Sequence, residues 1–295
     1  MEDHMKRSNI KLLTVLLAAL LLFSGCVNPD KQEEQTTAPI DVSQIDKTFI
    51  GSYKTMNYTY LTNVDTSLLT TNLSETYLLL ANKSSALGST YEPSPLVVLT
   101  CATLQPDRIY ELESRAAQAL YAMLAEMKAA GIDDVMVASA YRSFNYQKNT
   151  YQRYITYEQS CISADAYRVF GQEYIKANYL DKQIFNLCLE DAETVVQSYS
   201  ALPGQSEHQT GLCIDFATKE EEEHLTEAFE NTQAFAWLAQ NAYKFGFILR
   251  YPKGKEGITG YTYEPWHYRF VGREAATDIH VGQMTLEQYL QLTSH

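Results

Sequence analysis

Ser206-Glu207-His208-Gln209-Thr210-Gly211-Leu212-Cys213-Ile214-Asp215 is the stretch on which the reading of this chain turns. Its second half, running from Leu212 to Phe216, reads as a short strand, and its first half as a loop carrying His208. Gly211 gives the backbone freedom to turn sharply, so that His208 before it and Asp215 after it can aim at one point. A second stretch, Glu264-Pro265-Trp266-His267, offers another imidazole and another carboxylate. Residues three apart on a regular strand face opposite ways, so Glu264 and His267 converge only if one stands off the strand; Pro265 provides the interruption. His267 is read on the strand, with Glu264 at its entrance. A hydrolytic zinc site needs three protein ligands, an open position for water and a base beside that water. These two stretches hold the side chains for all of it.

Around them the chain reads as strands and helices in mixed order. Tyr77–Ala81, Leu96–Leu99, Asp134–Ala138, Phe247–Tyr251 and Trp266–Phe270 are the other expected strands, the last two joined by a Gly-rich turn. Asp107 is placed to cap a long helix running to Ala130, with Leu112, Ala116, Ala119, Leu120, Met123, Leu124 and Met127 on one face and Gly131 as its stop. Helices are also expected over Asn145–Tyr157, Ala164–Asn178, Gln183–Tyr199, Glu220–Phe229 and Thr232–Phe245, with two short ones at the end. Helices clustered around an antiparallel core predict an α+β fold, a small antiparallel sheet carrying the site and surrounded by helices. Thr48 to Leu73, rich in Tyr, Thr and Asn, reads as a strand-bearing extension packed on the main domain. Tyr53, Tyr58 and Tyr60 belong to that packing rather than to a carbohydrate site.

With 45% hydrophobic and 12% aromatic residues, the chain can bury a sizeable core. Lys+Arg number 23 against Asp+Glu 36, a net charge of −13, which argues against nucleic acid as a partner because phosphate binding needs clustered cations. Lys6, Arg7 and Lys11 precede an apolar run from Leu12 to Phe23, then Ser24, Gly25 and Cys26. That order is a secretory signal, too short for a membrane span. The ending resembles the lipobox of bacterial lipoproteins, in which the cysteine is lipidated and becomes the mature N-terminus. The expected organisation is therefore a signal over 1–25, a polar tether over 26–47, the extension over 48–73 and a catalytic domain over 74–295. A lipid on Cys26 would hold the protein outside the cytoplasm, on the outer face of the membrane. Cys101, Cys161, Cys188 and Cys213 remain; none has CxxC spacing, and Cys161–Cys188 is the favoured disulfide among several possible pairings. His4, His224, His280 and His295 lack partners and are set aside, and Glu220–Glu223 suits a helix start.

The two stretches, together with Ser139-Ala-Tyr-Arg142-Ser and Phe245-Gly-Phe-Ile-Leu-Arg-Tyr-Pro252, resemble the VanY-type D-alanyl-D-alanine carboxypeptidases. That family lies within the group sharing a zinc fold with lysostaphin-type endopeptidases and the hedgehog domain. The resemblance spans roughly Glu75 to Tyr289. It implies that His208, Asp215 and His267 bind Zn2+, that Glu264 is the general base, and that Arg142, Gln147, Ser206 and Tyr251 contact substrate. Arg142, a planar permanent cation just after a strand, suits either a free carboxylate or the scissile carbonyl. Cys213 stands where a small residue such as Ala is common, a departure expected to leave the metal undisturbed. The implied activity is removal of a terminal D-Ala from peptidoglycan stem peptides. Two other readings stand beside it: an L,D-carboxypeptidase trimming tetrapeptide stems, and a non-catalytic zinc-containing cell-wall binding module, against which Glu264 speaks because binding needs no base.

Overall fold

The computed structural model describes residues 40–69, 76–170, 189–219 and 225–293. The expected signal, Cys26 and most of the tether lie outside these residues, as do Cys188, His224 and the Glu220–Glu223 run. The chain divides into two compact units, one including Thr150–Gln197 and one made of Pro39–Asn149 with Ser198–His295. Every candidate residue of the zinc site lies in the second.

In chain order the second unit begins with β1 (Leu96–Val98) and β2 (Glu111–Glu113), an antiparallel pair. Next come helix α1 (Ser114–Ala129) and strand β3 (Val135–Ser139). Helix α2 (Phe144–Phe170) leads into the first unit, and α3 (Leu189–Tyr199) leads out of it. After β4 (Cys213–Thr218) come α4 (Gln233–Asn241), β5 (Phe247–Leu249), the single turn α5 (Glu256–Thr259), β6 (His267–Phe270), α6 (Arg273–Gly282) and α7 (Leu286–Thr293). The main sheet is wholly antiparallel in the order β3-β4-β6-β5. The α+β reading therefore holds.

The sheet's two faces have different chemistry, because side chains alternate along each strand. Ile214 and Phe216 of β4, Tyr268 and Phe270 of β6 and Phe247 of β5 enter one apolar core with Val135 and Val137 of β3. Helix α1 covers that core with Ala116, Ala119, Leu120, Met123 and Met127. Each fully buried Leu or Phe there is worth roughly 1.5–3 kcal/mol. The alternate positions, Cys213 and Asp215 on β4 and His267 and Arg269 on β6, belong to the opposite face. All six residues of β4 are buried, so the polar ones must find partners.

Several expectations change. Helix α1 starts six residues later than a cap at Asp107 suggests, because 111–113 pair with β1 and Glu113 caps the helix, accepting from the Arg115 and Ala116 amides at 2.9 and 3.0 Å. The expected break between Tyr157 and Ala164 is absent; that stretch holds neither Pro nor Gly, and Ser160 bonds the Thr156 carbonyl at 2.8 Å. The helices expected near Gln183 and Ala164–Asn178 are otherwise partly outside the described residues. Glu227–Asn231 forms only a 3-10 turn where the acidic helix was expected.

The extension, as far as it is described, forms 3-10 turns at Lys47–Phe49, Ser52–Lys54 and Thr66–Leu68 instead of strands. Tyr and Thr favour a pleated surface only where a neighbouring strand offers one, and here Asp46 and Asp65 cap turns locally. Its packing is specific: Asp278 of α6 accepts from the Gly51 and Ser52 amides at 2.9 and 3.0 Å. Tyr60 meets Phe245 edge to face at 5.5 Å. Tyr77–Ala81 is likewise not a strand; its carbonyls at Tyr77 and Leu79 accept from Arg269 instead. Cys161 is a free thiol, so the expected Cys161–Cys188 disulfide is not formed, and Cys101 and Cys213 are free too.

Candidate active site

Antiparallel pairing sets Asp215 of β4 directly opposite His267 of β6. His208 arrives from a 3-10 turn, Glu207–Thr210, which Gly211 closes in the left-handed region at φ 67°. A Cβ on Gly211 would stand 2.8 Å from Pro93 Cγ, so both backbone and space require glycine. Glu264 stands off the strand, its carbonyl accepting from the His267 amide at 3.2 Å. This is the convergence that Pro265 allowed. His208, Asp215, His267 and Glu264 are thus brought together, all buried.

Their ring nitrogens can be assigned from the partners they face. Nδ1 of His208 lies 2.7 Å from the Ala140 carbonyl, which places its proton there and leaves the Nε2 lone pair 3.1 Å from Asp215 Oδ2. Nε2 of His267 faces Glu207 Oε2 at 3.6 Å, while Nδ1 lies 2.9 Å from Asp215 Oδ1 and 3.6 Å from Glu264 Oε2. In neutral imidazoles so oriented, both inner nitrogens and both carboxylate oxygens are acceptors. Asp215 Oδ1 and His267 Nε2 make no hydrogen bond. Acceptors facing acceptors in a buried space call for a positive charge between them.

The charges around the site pull the same way. Burial by itself would depress the His267 imidazole, yet Cys213, Asp215 and Glu207 raise it well above its ordinary value. Burial would raise Asp215, but the two imidazoles hold it far below the usual carboxylate range. The cluster draws protons onto its histidines, and a metal cation answers the same pull. Burial, with the Asp215 charge adding to it, pushes the Glu264 carboxyl up to about 7.

A family model described as D-alanyl-D-alanine carboxypeptidase (VanY) matches residues 109–273, and YodJ of Bacillus subtilis (strain 168) is 34% identical over 263 residues, 88% of this chain and 83% of that protein. The chain belongs to the VanY family of D-alanyl-D-alanine carboxypeptidases. Among solved structures, the LdcB LD-carboxypeptidase is 34% identical with a TM-score of 0.56, the match covering 72% of this chain and 84% of that one. A VanY D,D-pentapeptidase from a VanB-type resistance cassette, in complex with Zn(II), is 29% identical with a TM-score of 0.51, covering 73% and 99%. The donor set found here, imidazole with carboxylate and thiol, fits that VanY metal.

Arg142 follows β3, and its amide donates to the His208 carbonyl at 3.1 Å. Its guanidinium charge reaches both His208 and Glu264, and its buried Nε makes no hydrogen bond. Tyr251 lies with its ring 4.8 Å from His267, its hydroxyl held protonated by burial. Ser206 is buried at the head of the 3-10 turn, without a capping bond from its side chain. Gln147 spends its amide nitrogen on the Ala201 carbonyl at 2.7 Å and keeps a buried, unbonded Oε1.

Two things were missed in the sequence. Glu207 turns its side chain inward, bonding Arg250 Nε and Arg269 at 2.8 Å each and facing the outer nitrogen of His267. Its place beside His208 in the quoted motif was the available signal. The second is Cys213, which does not stay clear of the site: ligand atoms of His208, Cys213 and His267 all lie within 4.8 Å of one another. Cys213 stands two residues before Asp215, hence on the same side of β4. Burial would raise its thiol, but the two imidazoles bring it down to about 7.

Proposed function

We propose that the chain is a zinc-dependent D,D-carboxypeptidase that removes the terminal D-Ala from peptidoglycan stem peptides, with His208, Asp215 and His267 as the metal ligands. One observation carries the reading: one nitrogen from each of two imidazoles converges on the Asp215 carboxylate at 3.1 and 2.9 Å, and the Glu264 carboxylate stands 3.6 Å from the His267 nitrogen of that set. Held by these residues, zinc would supply a Lewis acid that acidifies water and polarises a carbonyl. Glu264 is the base that takes the proton from that water and delivers it to the leaving amine. Its raised proton affinity suits both halves of the transfer. Arg142 holds the substrate carboxylate or the developing negative charge, with Ser206, Gln147 and the Tyr251 hydroxyl as further polar contacts. The Glu207 carboxylate, 3.6 Å from the outer nitrogen of His267, favours a proton on that nitrogen.

The D,D reading rests on the family model and on the VanY neighbour. The L,D reading has its own support in the likeness to LdcB. Incubation with defined pentapeptide and tetrapeptide stems, read by mass spectrometry, separates them: release of D-Ala from the pentapeptide alone supports the first, and cleavage of the tetrapeptide alone overturns it. The same reading places the protein outside the cytoplasm, tethered by lipid on Cys26, because its substrate lies there. Incorporation of labelled fatty acid that is lost in Cys26→Ala tests that placement.

A further inference from the structure

The thiol of Cys213 has no part in the function proposed above, although it sits within the ligand cluster. It projects from the same side of β4 as Asp215 and is fully buried. Its sulfur and one ring nitrogen of each histidine all lie within 4.8 Å of one another. An ordinary buried cysteine behaves as a small hydrophobe among apolar neighbours. Cys213 instead stands outside the apolar core that takes its neighbours Leu212 and Ile214. A second observation points to a cation beside the same imidazole: Asp215 Oδ1, 2.9 Å from His267 Nδ1, is buried and accepts no hydrogen bond.

We propose that Cys213 is itself a metal ligand, joining His208, Asp215 and His267 as a thiolate in the substrate-free protein. The inference rests on the zinc reading and goes beyond it. Three protein ligands leave zinc a position for water, whereas four close it, as in structural sites. The thiolate therefore competes with water for one position, giving a resting state that is closed and tightly held. A thiolate is also the softest donor in the set, so it biases the site towards zinc, cadmium and cobalt and away from magnesium or manganese. Binding costs the thiol its proton, which is released to solvent, and no electrons move.

Cobalt(II) substitution of the full chain tests this. The wild-type protein is expected to show visible d–d bands from the bound ion together with a near-ultraviolet sulfur-to-cobalt charge-transfer band. Cys213→Ala should keep the d–d bands, lose the charge-transfer band and bind zinc about 10-fold or more weakly in chelator competition. Wild-type d–d bands without the charge-transfer band would overturn the proposal while leaving the zinc reading intact, and this outcome does not depend on the variant folding. So would a Cys213→Ala protein that holds zinc as tightly as the wild type. Absence of d–d bands in the wild type would overturn both readings together.

Discussion

Two buried clusters of charge meet at His267, and they are built on opposite plans. On the outer side, Glu207 Oε1 accepts from Arg250 and Arg269, Glu287 accepts from the remaining Arg250 nitrogens at 2.9 and 2.5 Å, and Arg269 is completed by the carbonyls of Phe270, Tyr77 and Leu79. Nearly every charge there has its partner. On the inner side, Asp215 faces two imidazole nitrogens and Glu264 a third contact, with lone pairs opposed. The difference separates scaffold from chemistry. A saturated network fixes geometry and asks for nothing more, whereas an unsaturated one at equal burial marks where an absent charge belongs.

The largest effect should come from the inner cluster. Glu264→Gln keeps the shape and removes the base, so turnover of a stem peptide should fall about 10²–10⁴-fold while zinc content stays at the wild-type level. Full turnover in that variant would remove Glu264 from the mechanism. The outer cluster should answer in stability instead. Glu207→Ala leaves two fully buried guanidinium groups without their shared carboxylate, costing about 3–5 kcal/mol in urea unfolding with chelator present. Asp215→Asn, measured the same way, should cost clearly less, since the imidazoles it leaves behind can shed their protons whereas the guanidinium groups around Glu207 cannot; an equal or larger loss would erase the distinction between the clusters.

A smaller difference lies in acid. Burial alone would raise the Glu207 carboxyl, but Arg250 and Arg269 hold it far below the ordinary carboxylate value of about 4.3. A depressed folded-state value means stability that is fully present above the unfolded value and drains away as pH falls below it. The metal-free wild type should therefore lose stability between about pH 4 and pH 2 more steeply than Glu207→Gln. Smallest of all, Gly211→Ala should cost about 1–2 kcal/mol from the left-handed backbone, with some addition from the Pro93 contact.

Much of this was legible in the sequence because it is local. The Gly211 turn, the interruption at Pro265 and the alternation along 213–216 and 267–270 follow from single residues and a period of two. The same period contained the overlooked part. Cys213 is to Asp215 as Arg269 is to His267, two residues away and on the same side, so its approach to the metal ligands could have been read from spacing. What spacing could not supply was the partner of Glu207, because Arg250 and Arg269 lie on different strands and reach it only once β5 and β6 pair. The extension misled for a related reason. Its tyrosines and threonines fit a strand, but among the described residues no neighbouring strand offers hydrogen bonds, and Asp278, distant in sequence, takes the Gly51 and Ser52 amides instead.

Zinc binding tests the account at its centre. Equilibrium dialysis against zinc, read by elemental analysis, should give one tightly held ion per wild-type chain and the same in Glu264→Gln. Binding should be weakened severely in His208→Ala, Asp215→Ala and His267→Ala. A folded wild-type chain without affinity for zinc, or ligand variants that bind as the wild type does, would contradict it.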